Sequence, residues 1–147
     1  FLFGQLRRHP DLGHRLMLEI LEGEEIGNYE AVRSFVDEAR TYGTRIAIDD
    51  FGAGYSNLQH LLRLQVNSLK IDASLIADID KDPNARAAVA AIVELARNTG
   101  IESTTAEYVH SEAVLQVVKS LGVDYSQGYL IGPPGLMLVD GPRFLAA

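Results

Sequence analysis

RIAIDDFGAGYSNLQHL, residues 45–61, carries an apolar strand pattern straight into two adjacent carboxylates, Asp49 and Asp50. Residues 45–49 are short and apolar, as a buried strand is. Phe51 and a loop spaced by Gly52 and Gly54 follow, and glycine lets a chain turn tightly. Ser56 is placed to cap a helix carrying Leu58, Leu61 and Leu62. Two neighbouring acids at one strand end would repel each other unless cations lay between them.

Outward from this stretch the chain alternates. Strand-like runs fall at 15–21, 67–72, 101–107 and 123–131. Between them lie helical patterns: Tyr29 to Tyr42 with Val32, Phe35, Val36 and Ala39 on one face, stopped by Gly43. An alanine-rich helix opens at Pro83 and Asn84 and ends at Gly100, and a third runs from Ser111 to Gly122. Such alternation predicts an α/β fold with a parallel sheet, either open or closed into a barrel. Residues 132–147 are punctuated by glycine and proline and read as an irregular closing segment.

The acids are placed by this pattern. Glu19 and Glu22 end the first strand, Asp49 and Asp50 the second, Lys70 and Asp72 the third and Glu107 the fourth, while Gln127 lies in the fifth. In a parallel sheet these ends share one side, where α/β folds build their sites. An oxygen-rich group of Asp and Glu suits Mg²⁺ or Mn²⁺. Two such ions about 3.5–4 Å apart can clamp a phosphodiester and activate a water. A lysine beside them can neutralise developing charge, and a glutamine can meet a base edge or a sugar. Taken singly, each residue has a plainer reading. A lone Asp at a strand end is commonly a helix cap or turn residue, LKID can be a salt-bridged strand end, Glu22 belongs to the charged run EGEE, and Gln127 can be structural. The joint pattern favours the metal site.

Composition narrows the chemistry. The 147 residues are 47% hydrophobic and 22% charged, which suits one globular domain. There is no cysteine, so disulfides, thiolate metal sites and a cysteine nucleophile are excluded. His9, His14, His60 and His110 share no ligand spacing. A net charge of −7 argues against a nucleic-acid polymer or an anionic membrane as partner. No run approaches the roughly 20 apolar residues of a membrane span.

In order along the chain, LEILE (18–22), DDFGAGYSNL (49–58), LKID (69–72), AE (106–107) and QGYLIGPP (127–134) resemble the motifs of the EAL domain family. These are bacterial phosphodiesterases that open the second messenger cyclic di-GMP to the linear dinucleotide pGpG. The resemblance implies a (β/α)₈ TIM-like barrel with two Mg²⁺ or Mn²⁺ ions at the strand C-termini. It makes Glu19 a ligand of the first ion, Asp49 the carboxylate bridging both, and Asp50 and Glu107 ligands of the second. Lys70 matches the lysine that holds the nucleophilic water and a phosphate oxygen, and Glu107 a proposed general base. Gln127 matches a polar group of the substrate site, and Glu22 the glutamate that anchors the loop after DDFG.

The chain also departs from the family. The Glu-Ala-Leu strand and the strand with an asparagine ligand would precede Phe1, so residues 1–147 are expected to be an incomplete EAL domain with about five of the eight strands. The lack of an initiating Met points the same way, toward an upstream GGDEF or sensory domain in a longer parent. Pairing with a second copy would be another way to satisfy the open edges, and a naturally shortened, degenerate domain is the third reading. Tyr108 and His110 stand where the family has Gly and Glu; the tyrosine would crowd the second ion or stack on a guanine. The expectation is a cytoplasmic phosphodiesterase domain, in a parent that upstream segments could anchor to a membrane, with the short chain inactive by itself. The alternatives are a non-catalytic cyclic di-GMP receptor or protein-interaction module and, from outside the family, a Mg²⁺-dependent barrel lyase or racemase.

Overall fold

The computed structural model describes residues 1–21, 27–54 and 58–135. Among the described residues five strands, β1 (Met17–Leu21), β2 (Arg45–Phe51), β3 (Ser68–Ile71), β4 (Ser103–Ala106) and β5 (Tyr125–Ser126), form one sheet. All pairs are parallel and the spatial order is β1-β2-β3-β4-β5. With strands added one after another by right-handed crossovers, every connecting helix falls on the same side. That is the wall of a barrel; a doubly wound sheet reverses its order and is covered on both faces. The fold is therefore α/β, part of a (β/α)₈ barrel.

Among the described residues six α-helices accompany the strands: α1 (Leu2–Arg8), α2 (Tyr29–Thr41), α3 (Leu58–Leu64), α4 (Ala73–Ile76), α5 (Pro83–Thr99) and α6 (Glu112–Ser120). Their starts follow local chemistry. Side chains of Asn28, Asp72, Asp82 and Ser111 accept from the backbone amides of Ala31, Ser74, Asn84 and Val114, satisfying donors that a helix start leaves free. Gly100 ends α5 at φ 76°, a left-handed cap that glycine adopts without cost. The predicted cap Ser56 lies outside the described residues.

The core sits between sheet and helices. One cluster joins Ile71 and Ala106 to Val89, Val93, Val114 and Val118 of α5 and α6. The other joins Ile46, Ile48, Phe51 and Leu69 to Val36 of α2 and Leu61 of α3. Ile92 of α5 packs against both. Phe35, at helical spacing with buried Val36 and Ala39, is 43% exposed. It lies instead against Phe3 of α1, ring centroids 5.0 Å apart, a helix the sequence reading leaves uncalled. Four predicted strands are longer than the observed ones, most of all β5, where Tyr125–Ser126 replaces 123–131. Among the described residues no helix is long and apolar enough to cross a membrane.

One irregularity positions the site. Ile48 is level with Leu69 and Phe51 with Ile71, so Asp49 and Asp50 together oppose the single residue Lys70. This is a β-bulge. Asp50 takes φ 58°, a conformation that Asp tolerates better than most residues. The extra residue turns Phe51 back to the helix layer, where it is 3% exposed. Gly52 then turns at φ 97°, and a Cβ there would come 2.5 Å from Leu75 Cδ1. Gly54 has neither a positive φ nor a close neighbour, so only the first glycine of the loop is required by its backbone.

Two substitutions separate packing from backbone strain. Phe51→Ala should cost about 3–5 kcal/mol of unfolding free energy. Gly52→Ala should cost about 1–2 kcal/mol, because the Leu75 side chain can move aside while the φ cannot. Urea denaturation of both variants would check that order.

Candidate active site

Strand alternation sets the stage. Glu19, Ala47, Ser68 and Ser103 are level across the sheet and share one face, opposite the helices, and Lys70 lies two residues beyond Ser68. At this level the bulge adds Asp50 beside Asp49. The two carboxylates and that of Glu107, the residue just after β4, bring ligand oxygens within 4.8 Å of one another. Lys70 Nζ lies between them, 2.7 Å from Asp49 Oδ1, 2.9 Å from Glu107 Oε1 and 3.2 Å from Glu19 Oε1.

The electrostatics follow from partial burial. Desolvation is the largest influence on Lys70 and would lower its pKa, but the contacts with Asp49, Glu107 and Glu19 outweigh it. The net shift is upward, so the ammonium stays charged at any ordinary pH. Desolvation pushes the Glu107 carboxyl above the usual carboxylate range. Lys70 pulls it down, Asp49 and Asp50 push it back up, and the upward influences win. Glu107 is thus a better proton acceptor than an exposed glutamate.

Gln127 completes the group. Its Nε2 donates to Glu107 Oε1 at 2.8 Å. Its backbone amide donates to Ala106 O and its carbonyl accepts from Val109 N, so the residue is held at three points. Gln127 follows β5 rather than lying in it, and two residues of strand would fix its position poorly. Asp124 supplies the rest: Oδ2 accepts from both the amide and the hydroxyl of buried Thr104, at 2.7 and 2.9 Å. Sequence reasoning passed over Asp124. Asp124 falls inside the predicted strand 123–131, where alternation gives no sign of its partner, and only the contact with Thr104 shows the role.

The structure thus brings Asp49, Asp50, Lys70, Glu107 and Gln127 together, and reaches Glu19 through Lys70. Glu19 is central in β1 rather than at its end. Asp72 does not join them. It caps α4 through Ser74 N at 2.9 Å, because the chain turns into a helix as soon as β3 ends. Glu22 lies outside the described residues. Tyr108 is half-exposed at φ 60°, its ring edge-on to His110 at 5.3 Å, and His110 Nε2 meets Ala77 O at 2.9 Å. His110 is thus tied to the backbone after α4.

The donor set fits divalent cations. Its ligands are hard carboxylate oxygens, as Mg²⁺ and Mn²⁺ prefer. Asp49 Oδ1 is buried and, although close to the Lys70 ammonium, has no aligned hydrogen-bond donor. Among the described residues, Asp49, Asp50 and Glu107 form a group that could hold an ion.

Comparison with known proteins agrees with this geometry. The EAL domain family model matches residues 2–134. The cyclic di-GMP phosphodiesterase PdeF of Escherichia coli (strain K12) is 38% identical over 120 residues, 82% of this chain and 16% of that protein. A standalone EAL protein from Vibrio cholerae O395, solved with c-di-GMP bound, has a TM-score of 0.80 at 30% identity. That match covers 91% of this chain and 56% of the Vibrio chain. A manganese and cyclic di-GMP complex of Klebsiella pneumoniae BlrP1 has a TM-score of 0.73 at 35% identity, covering 80% of this chain and 30% of that one. The chain therefore spans less than two thirds of the length of each of these relatives. With nearly its whole length matched and its acids gathered at one end of a parallel sheet, the chain belongs to the EAL domain family.

Proposed function

We propose that this chain forms the C-terminal part of a phosphodiesterase domain that hydrolyses cyclic di-GMP to pGpG with two divalent ions, Mg²⁺ or Mn²⁺. The observation that carries the reading is the convergence of Asp49, Asp50 and Glu107 oxygens within 4.8 Å, beside the Lys70 ammonium. The activity named for PdeF and the ligands in the Vibrio and Klebsiella structures support it.

Asp49, Asp50 and Glu107 would hold ions, with Glu19 the further acid on the β1 side. Bound there, the ions would polarise the phosphodiester and acidify a water. The chain's own residues do the rest. Glu107 accepts a proton from the attacking water. Lys70 presents an ammonium to a phosphate oxygen as charge builds on it. Gln127 fixes the rotamer of Glu107 through the Nε2 hydrogen bond. One phosphorus–oxygen bond of the ring is replaced by a bond to the water oxygen, and the released ribose oxygen takes a proton.

A second reading, binding without turnover, draws on Tyr108. A half-exposed aromatic ring directly after Glu107 offers a stacking face for a purine.

In a protein carrying the whole EAL domain, Glu107→Ala should lower pGpG formation by about 10²–10⁴-fold. Turnover that survives unchanged would remove Glu107 from the mechanism. Chelation should stop the reaction and added Mg²⁺ or Mn²⁺ restore it. Tight cyclic di-GMP binding with no pGpG under those conditions would favour the receptor. The 147 residues alone should give no significant pGpG, because five strands leave the barrel open beside the site; rapid product from them would overturn that expectation.

A further inference from the structure

Lys70 is the cation the chain itself supplies to its acidic cluster. Its side chain is only 13% exposed, so water contributes little to its solvation, and its three close partners are all carboxylates. Two of them, Asp49 and Glu107, belong to the group whose oxygens converge closely enough to hold a metal. The ammonium and a divalent ion therefore want the same oxygens. At the effective dielectric of a half-buried site, an ammonium and a doubly charged ion a few ångströms apart repel by much more than thermal energy.

We propose that Lys70 acts as an internal counter-cation that a divalent ion must displace from Asp49 and Glu107. Metal binding at this site is then an exchange. The lysine holds the carboxylates together, and the arriving ion releases its ammonium toward the face where a phosphate approaches. That last step rests on the phosphodiesterase reading; the exchange rests on the geometry alone. A lysine suits the task better than an arginine, since a single compact ammonium on a flexible stem can shift without leaving a planar fork of donors unpaired.

The test is calorimetric titration of the full chain with Mn²⁺, comparing the native protein with Lys70→Met. The apolar variant should bind Mn²⁺ at least about tenfold more tightly, because a competing positive charge is gone. Before Mn²⁺ is added it should melt several degrees below the native protein, with its carboxylates left facing one another, and Mn²⁺ should raise its melting temperature by more. Lys70→Arg, which keeps the charge, should show no tightening. Unchanged or weaker Mn²⁺ binding by Lys70→Met would overturn the exchange. If that variant does not fold, the native protein answers by NMR: the Lys70 side-chain resonances should move, and its ammonium protons exchange faster, as Mg²⁺ is added. Resonances unmoved at saturation would overturn it equally. Neither readout needs turnover, so a chain that exchanges Lys70 for Mn²⁺ but yields no pGpG in its complete protein would remove the phosphodiesterase reading and leave the exchange standing.

Discussion

Side chains along a strand alternate between its two faces, so adjacent residues cannot both serve one site while the strand keeps its phase. Asp49 and Asp50 escape this constraint because β2 carries one residue more than β3 between Ile48 and Phe51. The rest of the structure depends on that extra residue. It sets two carboxylates opposite Lys70, and it returns Phe51 to the helix layer level with Ile71. Without it, Phe51 would share the polar face with Asp49, and the apolar cluster under α2 and α3 would lose its largest side chain. Asp also suits the bulge itself, since the left-handed φ of Asp50 would cost a β-branched residue far more. One residue type thus meets a backbone demand and a chemical one.

Charge then decides which contacts are firm. Acids close enough to share an ion destabilise one another, and here a single lysine offsets them. Gln127 adds a neutral donor to Glu107, and its own position is set from both sides by backbone bonds to Ala106 and Val109. Asp124 strengthens this support by tying the chain before β5 to Thr104. The path from Thr104 to Glu107 therefore runs through side chains and backbone of two neighbouring strands. It gives a carboxylate beyond the end of β4 a defined direction despite the shortness of β5.

Much of this was legible in the sequence, because periodicity and end position reflect the same physics as the fold. The runs around Ile46, Leu69 and Thr104 are strands, and the apolar faces of α5 and α6 bury Val89, Val93, Val114 and Val118 as their spacing implies. Gathering Asp49, Lys70 and Glu107 follows from parallel strands alone. What escaped was set by single contacts. Asp72 looks like the other strand-end acids, and only the immediate start of α4 makes it a cap. The bulge leaves no mark in an apolar pattern, since Asp-Asp reads equally well as a strand end. With four residues α4 lacks the length that periodicity needs, and α1 shows itself through its contacts, where Leu6 is buried and Phe3 lies against Phe35 and Tyr42. Tyr108 at φ 60° contradicts its residue type, and such a conformation is held by its surroundings.

The two faces of the sheet differ in a way that bears on what encloses the site. Toward the helices stand Ile46, Ile48, Leu69 and Ile71, branched side chains that fill a thick layer. On the other face the middle strands carry Ala47, Ser68, Ser103 and Thr105, small groups of which three have hydroxyls, and Ser103 Oγ donates to Ser68 Oγ. A face built to bind a second sheet would carry large apolar side chains at these central positions. Small residues in the centre, with Leu21 and Tyr125 exposed on the edge strands at the level of the acids, suit a curved surface whose interior narrows toward the axis. The acids then sit at the mouth of a barrel, where the curvature that demands small residues below also turns the strand ends toward a common centre.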